Sequence, residues 1–264
     1  MDLIYWIIIF SLLGGVLSVI AASTFLLLPE RFRIGLLPHF ISFAIGALLG
    51  AAFLALLPHS MERPETDFHH IGLTVLLGIL GFFLLEKMVL WRHCHADHCE
   101  AHAPHEAFDK GKDSSTIALI LFGDGLHNFV DGVLIAAAFM TDIHLGVVTS
   151  IAVATHEIPQ EVGDFAILLH SGMSRMKSFV MNVASSLTTV FGALLAYMSL
   201  SGFAGVIPYI LAVAASSFIY IAMADLLPGL HKKTQLSETI KQVILIVMGV
   251  VIIYVTHSSL HLTA

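Results

Sequence analysis

The chain is 264 residues long, 57% hydrophobic and only 12% charged, with a mean hydropathy of +0.90 and a formal net charge of −7. Those values exclude an ordinary soluble domain, in which about a quarter of the residues are charged, and an acidic chain without a basic patch excludes a nucleic-acid partner. Length and recurrent apolar runs predict one all-α integral membrane domain over residues 1–264, a multi-pass protein whose partner is the lipid bilayer.

Eight apolar stretches, each near the roughly 20 residues that cross a hydrocarbon core, predict transmembrane helices at about 3–28, 38–58, 71–91, 115–140, 145–170, 177–199, 203–228 and 239–258. The first carries Asp2 and no basic residue at its start, and its apolar run exceeds that of a signal peptide, so it is read as a retained helix. Arg31 and Arg33 lie in loop 1–2, Lys87, Arg92, Lys110 and Lys112 in or beside loop 3–4, Arg175 and Lys177 in loop 5–6, and Lys232, Lys233 and Lys241 in or beside loop 7–8. Only Arg63 falls in an even-numbered loop. The positive-inside rule then predicts cytoplasmic odd-numbered loops, extracytoplasmic N- and C-termini, and a cell (inner) membrane location.

Span 2 ends in Leu56-Leu57-Pro58-His59, and span 7 in Leu226-Leu227-Pro228 with His231 following. By the charge asymmetry these matched segments lie at opposite faces. An inverted repeat of helices 1–3 and 6–8 would produce that echo, and it is a transporter architecture.

The one long connection, about 92–114, carries His93, Cys94, His95, His98, Cys99, His102 and His105. A reducing cytoplasm argues against a disulfide between the two cysteines. Thiolates among imidazoles suit weak capture of a transition metal. The spacing is not that of a structural zinc site, and a solvated loop with no defined site fits equally well.

Spans 4 and 5 are different. No lysine or arginine occurs between Lys112 and Arg175, yet the stretch holds Asp124, His127, Asn128 and Asp131, then His156, Glu157, Gln160, Glu161 and Asp164. At about 100° per residue the first four cover an arc of about 100° and the last five an arc of about 140°. His127 with Asp131, and His156 with Gln160, are i, i+4 pairs on one face. Counted from a loop centred near Ile143, both sets lie roughly 18–25 Å deep at a rise of about 1.5 Å per residue. Pro159 cannot donate to the carbonyl of Thr155 one turn back, which is tolerated in a membrane where a cavity or ion satisfies the oxygen. Carboxylates and imidazoles at one depth, without a resident cation, call for a visiting divalent metal. Mixed nitrogen and oxygen ligands suit Zn²⁺, and also Fe²⁺, Mn²⁺ or Cd²⁺; no organic cofactor is implied.

HNFVDG in span 4 and HEIPQEVGDF in span 5 resemble the paired signatures of the ZIP (Zrt/Irt-like) divalent-metal transporters, closest to the branch reading HNFxDG and HEIPHExGD. The resemblance implies a 3+2+3 helix arrangement with a binuclear metal centre between helices 4 and 5. It also implies zinc uptake toward the cytoplasm, and a homodimer. Its first metal position corresponds to His127, Asp131 and Gln160, and its second to Asn128, His156, Glu157 and again Gln160. Gln160 stands where that branch has His, and Thr189 about where some branches carry a Glu. One good site and a weaker second site are therefore expected, with Asp124, Glu161, Asp164, Asp225 and His59 as second-layer or pathway candidates. Two other functions compete. An intramembrane metalloprotease would use His156 and Glu157, but H-E-x-x-H needs a second His where Gln160 stands. A metal sensor that does not transport is the other, and a bis-His haem bundle gives the carboxylates no role.

Overall fold

The computed structural model describes residues 2–62, 66–93, 114–231 and 235–261. Among them run eight long helical bodies: α1 (Leu3–Phe25), α2 (Glu30–Met61), α3 (Phe68–His93), α4 (Ser114–Thr141), α5 (Ile143–His170), α6 (Arg175–Leu200), α7 (Ala204–Leu230) and α8 (Leu236–His261). Seven are long and apolar enough to cross a membrane. The eighth, α5, has 28 residues and carries the polar face predicted for it. Cys94, His95, His98, Cys99, His102 and His105 lie outside the described residues, as does the side chain of His93.

Helix pairing follows an internal symmetry. Extensive packing joins α4 to α6, α2 to α8, α3 to α7 and α5 to α1. Exchanging helices 1–3 with 6–8, and 4 with 5, turns each pairing into another of the set. Because successive helices alternate in direction, the exchange also inverts the chain. The sequence echo has a structural counterpart: α2 contains a π-helical stretch at Ala52–Leu56 and α7 one at Ile221–Leu226. Each runs into a Leu-Pro pair whose proline lacks the N–H that the regular ladder needs, and a wider i→i+5 turn absorbs the mismatch. α5 packs along α2, and α4 along α7, so the central helices are each flanked by a π-distorted neighbour.

Exposure sorts the helices by radius. Among the seven apolar helices, α3 and α8 are the most exposed spans and α2 and α7 the most enclosed. Leu76, Leu77, Leu80 and Leu84 of α3, and Val243, Ile244, Val247 and Val251 of α8, are exposed and apolar, which suits lipid contact. Where α4 meets α6 the backbones touch. A Cβ on Gly132 would strike the carbonyl of Thr189, and one on Gly192 the carbonyl of Phe129. Small residues at such crossings let membrane helices approach closely enough to pack by dispersion. Gly132 thus holds α6 against the polar face of α4.

Candidate metal centre

Four side chains converge between α4 and α5. His127 Nε2 lies 3.3 Å from His156 Nε2, 3.4 Å from Glu157 Oε1 and 3.8 Å from Asp131 Oδ2. His156 Nε2 lies 3.3 Å from Asp131 Oδ2 and 3.7 Å from Glu157 Oε1. All four ligand-type atoms fall within 4.8 Å of one another. Zinc bonds of about 2.0–2.2 Å in a tetrahedron separate the ligand atoms by about 3.3–3.6 Å. The five measured separations run from 3.3 to 3.8 Å, so the cluster needs only a slight contraction to hold one such ion.

The chemistry of the donors agrees with the geometry. His156 Nδ1 donates to the carbonyl of Ala152 at 3.1 Å, which leaves the lone pair on Nε2. Asp131, His156 and Glu157 are buried and His127 is partly exposed, so the cluster retains one side from which an ion can approach. Both carboxylate oxygens of Asp131 and of Glu157 are enclosed without a hydrogen-bond donor among the described residues. Two buried carboxylates carry two negative charges, which a divalent cation neutralises and a neutral core does not.

A second cluster shares one member with the first. Asp124, Glu157 and Glu161 are buried with an oxygen of each within 4.8 Å of the others. Asn128, expected among the ligands of a second metal, turns its amide nitrogen to Asp124 Oδ1 at 3.0 Å and accepts from the Thr189 hydroxyl at 2.7 Å. The Ser186 hydroxyl donates to Glu161 Oε1 at 2.8 Å. Asp124 precedes His127 by three residues and Glu161 follows Glu157 by four, so this cluster lies about one turn, roughly 5 Å, nearer the ends joined to loops 3–4 and 5–6.

The remaining candidates are spread out. Gln160 is half-buried one turn after His156, on the same face of α5. Asp164 is half-buried a further turn along. Asp225 is exposed within the π-helical stretch of α7. His59 belongs to a separate group at the end of α2: its Nδ1 donates to the carbonyl of Ala55 at 2.9 Å, and its ring meets that of His257 edge-on at 5.2 Å. Sequence reading missed the contribution of α6 beyond Thr189. Ser178, Asn182, Ser185, Ser186 and Thr189 are all buried there. Their spacing of three and four residues marks one polar helical face, a signal visible in the sequence.

A family model described as ZIP zinc transporter matches residues 3–257. The chain is similar to the zinc transporter ZIP13 of Pongo abelii, 31% identical over 229 residues, covering 82% of this chain and 65% of the relative. It is 28% identical over 333 residues to the zinc transporter SLC39A7 of Rattus norvegicus, covering 90% of this chain and 70% of the relative. With the zinc transporter ZIP4 of Homo sapiens it shares 31% identity over 261 residues, 75% of this chain and 39% of the relative. The chain thus spans about two thirds of the length of the first two relatives and well under half of the third.

Proposed function

The chain belongs to the ZIP zinc transporter family, and on that premise we propose that it carries Zn²⁺ across a cell membrane toward the cytoplasm through the clusters on α4 and α5. Family membership argues for a transporter over a protease, although His127 supplies from the neighbouring helix the second imidazole that Gln160 denies to His156-Glu157. One observation carries the reading: two imidazoles and two buried carboxylates without hydrogen bonds meet at nitrogen–oxygen separations of 3.3 to 3.8 Å within an apolar bundle. Zinc is the cargo here.

Each residue then has a task. The two carboxylates compensate the charge of the ion in a medium of low dielectric, and the two imidazole nitrogens replace water that it leaves behind. Glu157 belongs to both clusters, so an ion can exchange His127, Asp131 and His156 for Asp124 and Glu161 without losing its last carboxylate. Gln160 contributes at most a neutral amide oxygen, which favours tight binding at the first cluster and weaker, partly hydrated binding at the second. The basic odd-numbered loops support extracytoplasmic termini and, with them, a second cluster on the cytoplasmic side. Zinc in preference to Fe²⁺, Mn²⁺ or Cd²⁺, and assembly as a homodimer, are parts of the same proposal.

Uptake into proteoliposomes loaded with a metal indicator tests it, across a panel of divalent ions and with or without a proton gradient. Zinc entry that exceeds that of protein-free vesicles and vanishes in His127→Ala is the expected result. Equal zinc entry in wild type and His127→Ala would overturn the assignment of the site, and zinc binding without entry would make the protein a sensor.

A further inference from the structure

A cavity of about 410 Å³ lies away from the metal centre, where the end of α1 and the end of α5 meet the starts of α2 and α6. That volume falls in the range of about 300–1,000 Å³ typical of small-molecule sites. Leu27, Phe165, Leu169 and Phe179 are among its apolar walls, and two arginines, Arg33 and Arg175, enter it. Arg33 Nε is buried without a hydrogen-bond partner, and among the described residues neither guanidinium forms a salt bridge. The hydroxyls of Ser23 and Thr24, also in the lining, both donate to the carbonyl of Ile20. Recognition of a ligand therefore falls to the two guanidiniums. Arg33, partly desolvated and unpaired, is unfavourable unless an anion joins it, and the exposed Arg175 brings a second guanidinium to the same cavity.

We propose that this cavity binds the headgroup of an anionic phospholipid from the leaflet that meets loops 1–2 and 5–6. A guanidinium fork fits the paired oxygens of a phosphodiester, and basic pockets between transmembrane helices at the membrane surface suit such headgroups. The apolar walls decide between the two sources of phosphate. They receive the glycerol and upper acyl carbons of a lipid, whereas free inorganic phosphate would shed hydration against phenyl rings with nothing gained. Arg33 comes from α2, and the rest of the lining from or beside α1, α5 and α6, so the lipid clamps α2 to α1, α6 and the α5 helix that carries His156 and Glu157.

Native mass spectrometry of the full chain in a non-ionic detergent tests the proposal, with dioleoylphosphatidylglycerol, dioleoylphosphatidylcholine and inorganic phosphate titrated separately. Wild type is expected to retain phosphatidylglycerol at concentrations at least tenfold below those needed for phosphatidylcholine. Arg33→Gln with Arg175→Gln should abolish that preference, while Arg31→Gln, whose guanidinium stacks on Phe32, should keep it. Equal retention of the two lipids by wild type, or an unchanged preference in the double variant, would overturn the site. Stronger retention of inorganic phosphate than of phosphatidylglycerol would overturn the lipid as its source. If the double variant does not fold, a photoreactive phosphatidylglycerol on wild type decides: cross-links within residues 20–33 and 165–179 support the site, and cross-links elsewhere refute it. Neither result depends on zinc uptake, so failure of the transport reading leaves this one intact.

Discussion

Replacing Asp131 by alanine is the sharpest perturbation of the proposed centre. Its carboxylate is fully buried, with Oδ2 3.3 Å from His156 Nε2 and 3.8 Å from His127 Nε2. The variant leaves Glu157 as the one carboxylate in the four-residue cluster. Removing one partner of a buried charge pair costs about 3–5 kcal/mol, or roughly two to three and a half orders of magnitude in affinity at about 1.4 kcal/mol per decade. Gln160 supplies only a carbonyl dipole, and an unmade polar contact costs about 1–3 kcal/mol, roughly a 5- to 150-fold effect. Zinc affinity measured by chelator competition on purified protein, together with initial uptake rates in proteoliposomes, should therefore rank Asp131→Ala far below Gln160→Ala. Asp131→Asn keeps the shape and loses the charge, so it should fall with alanine. Affinity of Asp131→Ala within tenfold of wild type would refute the charge-compensation argument. Gln160→Ala as inactive as Asp131→Ala, at equal expression, would make the amide a required bridging ligand.

Three further outcomes are expected. Gly132→Val forces α6 away from the α4 backbone at Thr189, so it should lower the thermal unfolding temperature in detergent and abolish uptake even though no ligand has changed; normal stability and transport would contradict the close-packing argument. Thr189→Glu brings a carboxylate beside Asn128, whose Oδ1 now accepts from Thr189 at 2.7 Å, and should raise the bound zinc, read by elemental analysis, from about one toward two per chain. An unchanged stoichiometry would remove the second cluster from the pathway. A cysteine added beyond Thr263 should react with an impermeant thiol reagent in intact cells while Cys94 and Cys99 do not, and protection of the added cysteine would reverse the proposed orientation.

Much of this protein is written locally in its chain. The long helices are legible because hydropathy is a property of consecutive residues. The polar faces of α4 and α5 are legible because the 3.6-residue period puts Asp124, His127, Asn128 and Asp131, and His156, Glu157, Gln160 and Glu161, on single arcs. Even their common depth follows from counting away from a short loop. The Leu-Pro echo belongs to the same class, since proline acts on its own helix, and the matched π-helical stretches of α2 and α7 are its consequence. What helical period cannot specify is the rotation of one helix against another. Tertiary packing decides that His156 and Glu157 join His127 and Asp131 in one cluster, and that Glu157 also reaches Asp124 and Glu161. It turns Asn128 toward Asp124 and Thr189, and brings Ser186 of α6 to Glu161. Those choices rest on contacts between residues far apart in the chain, such as Gly132 against Thr189, which fix the helices only once the whole bundle has closed.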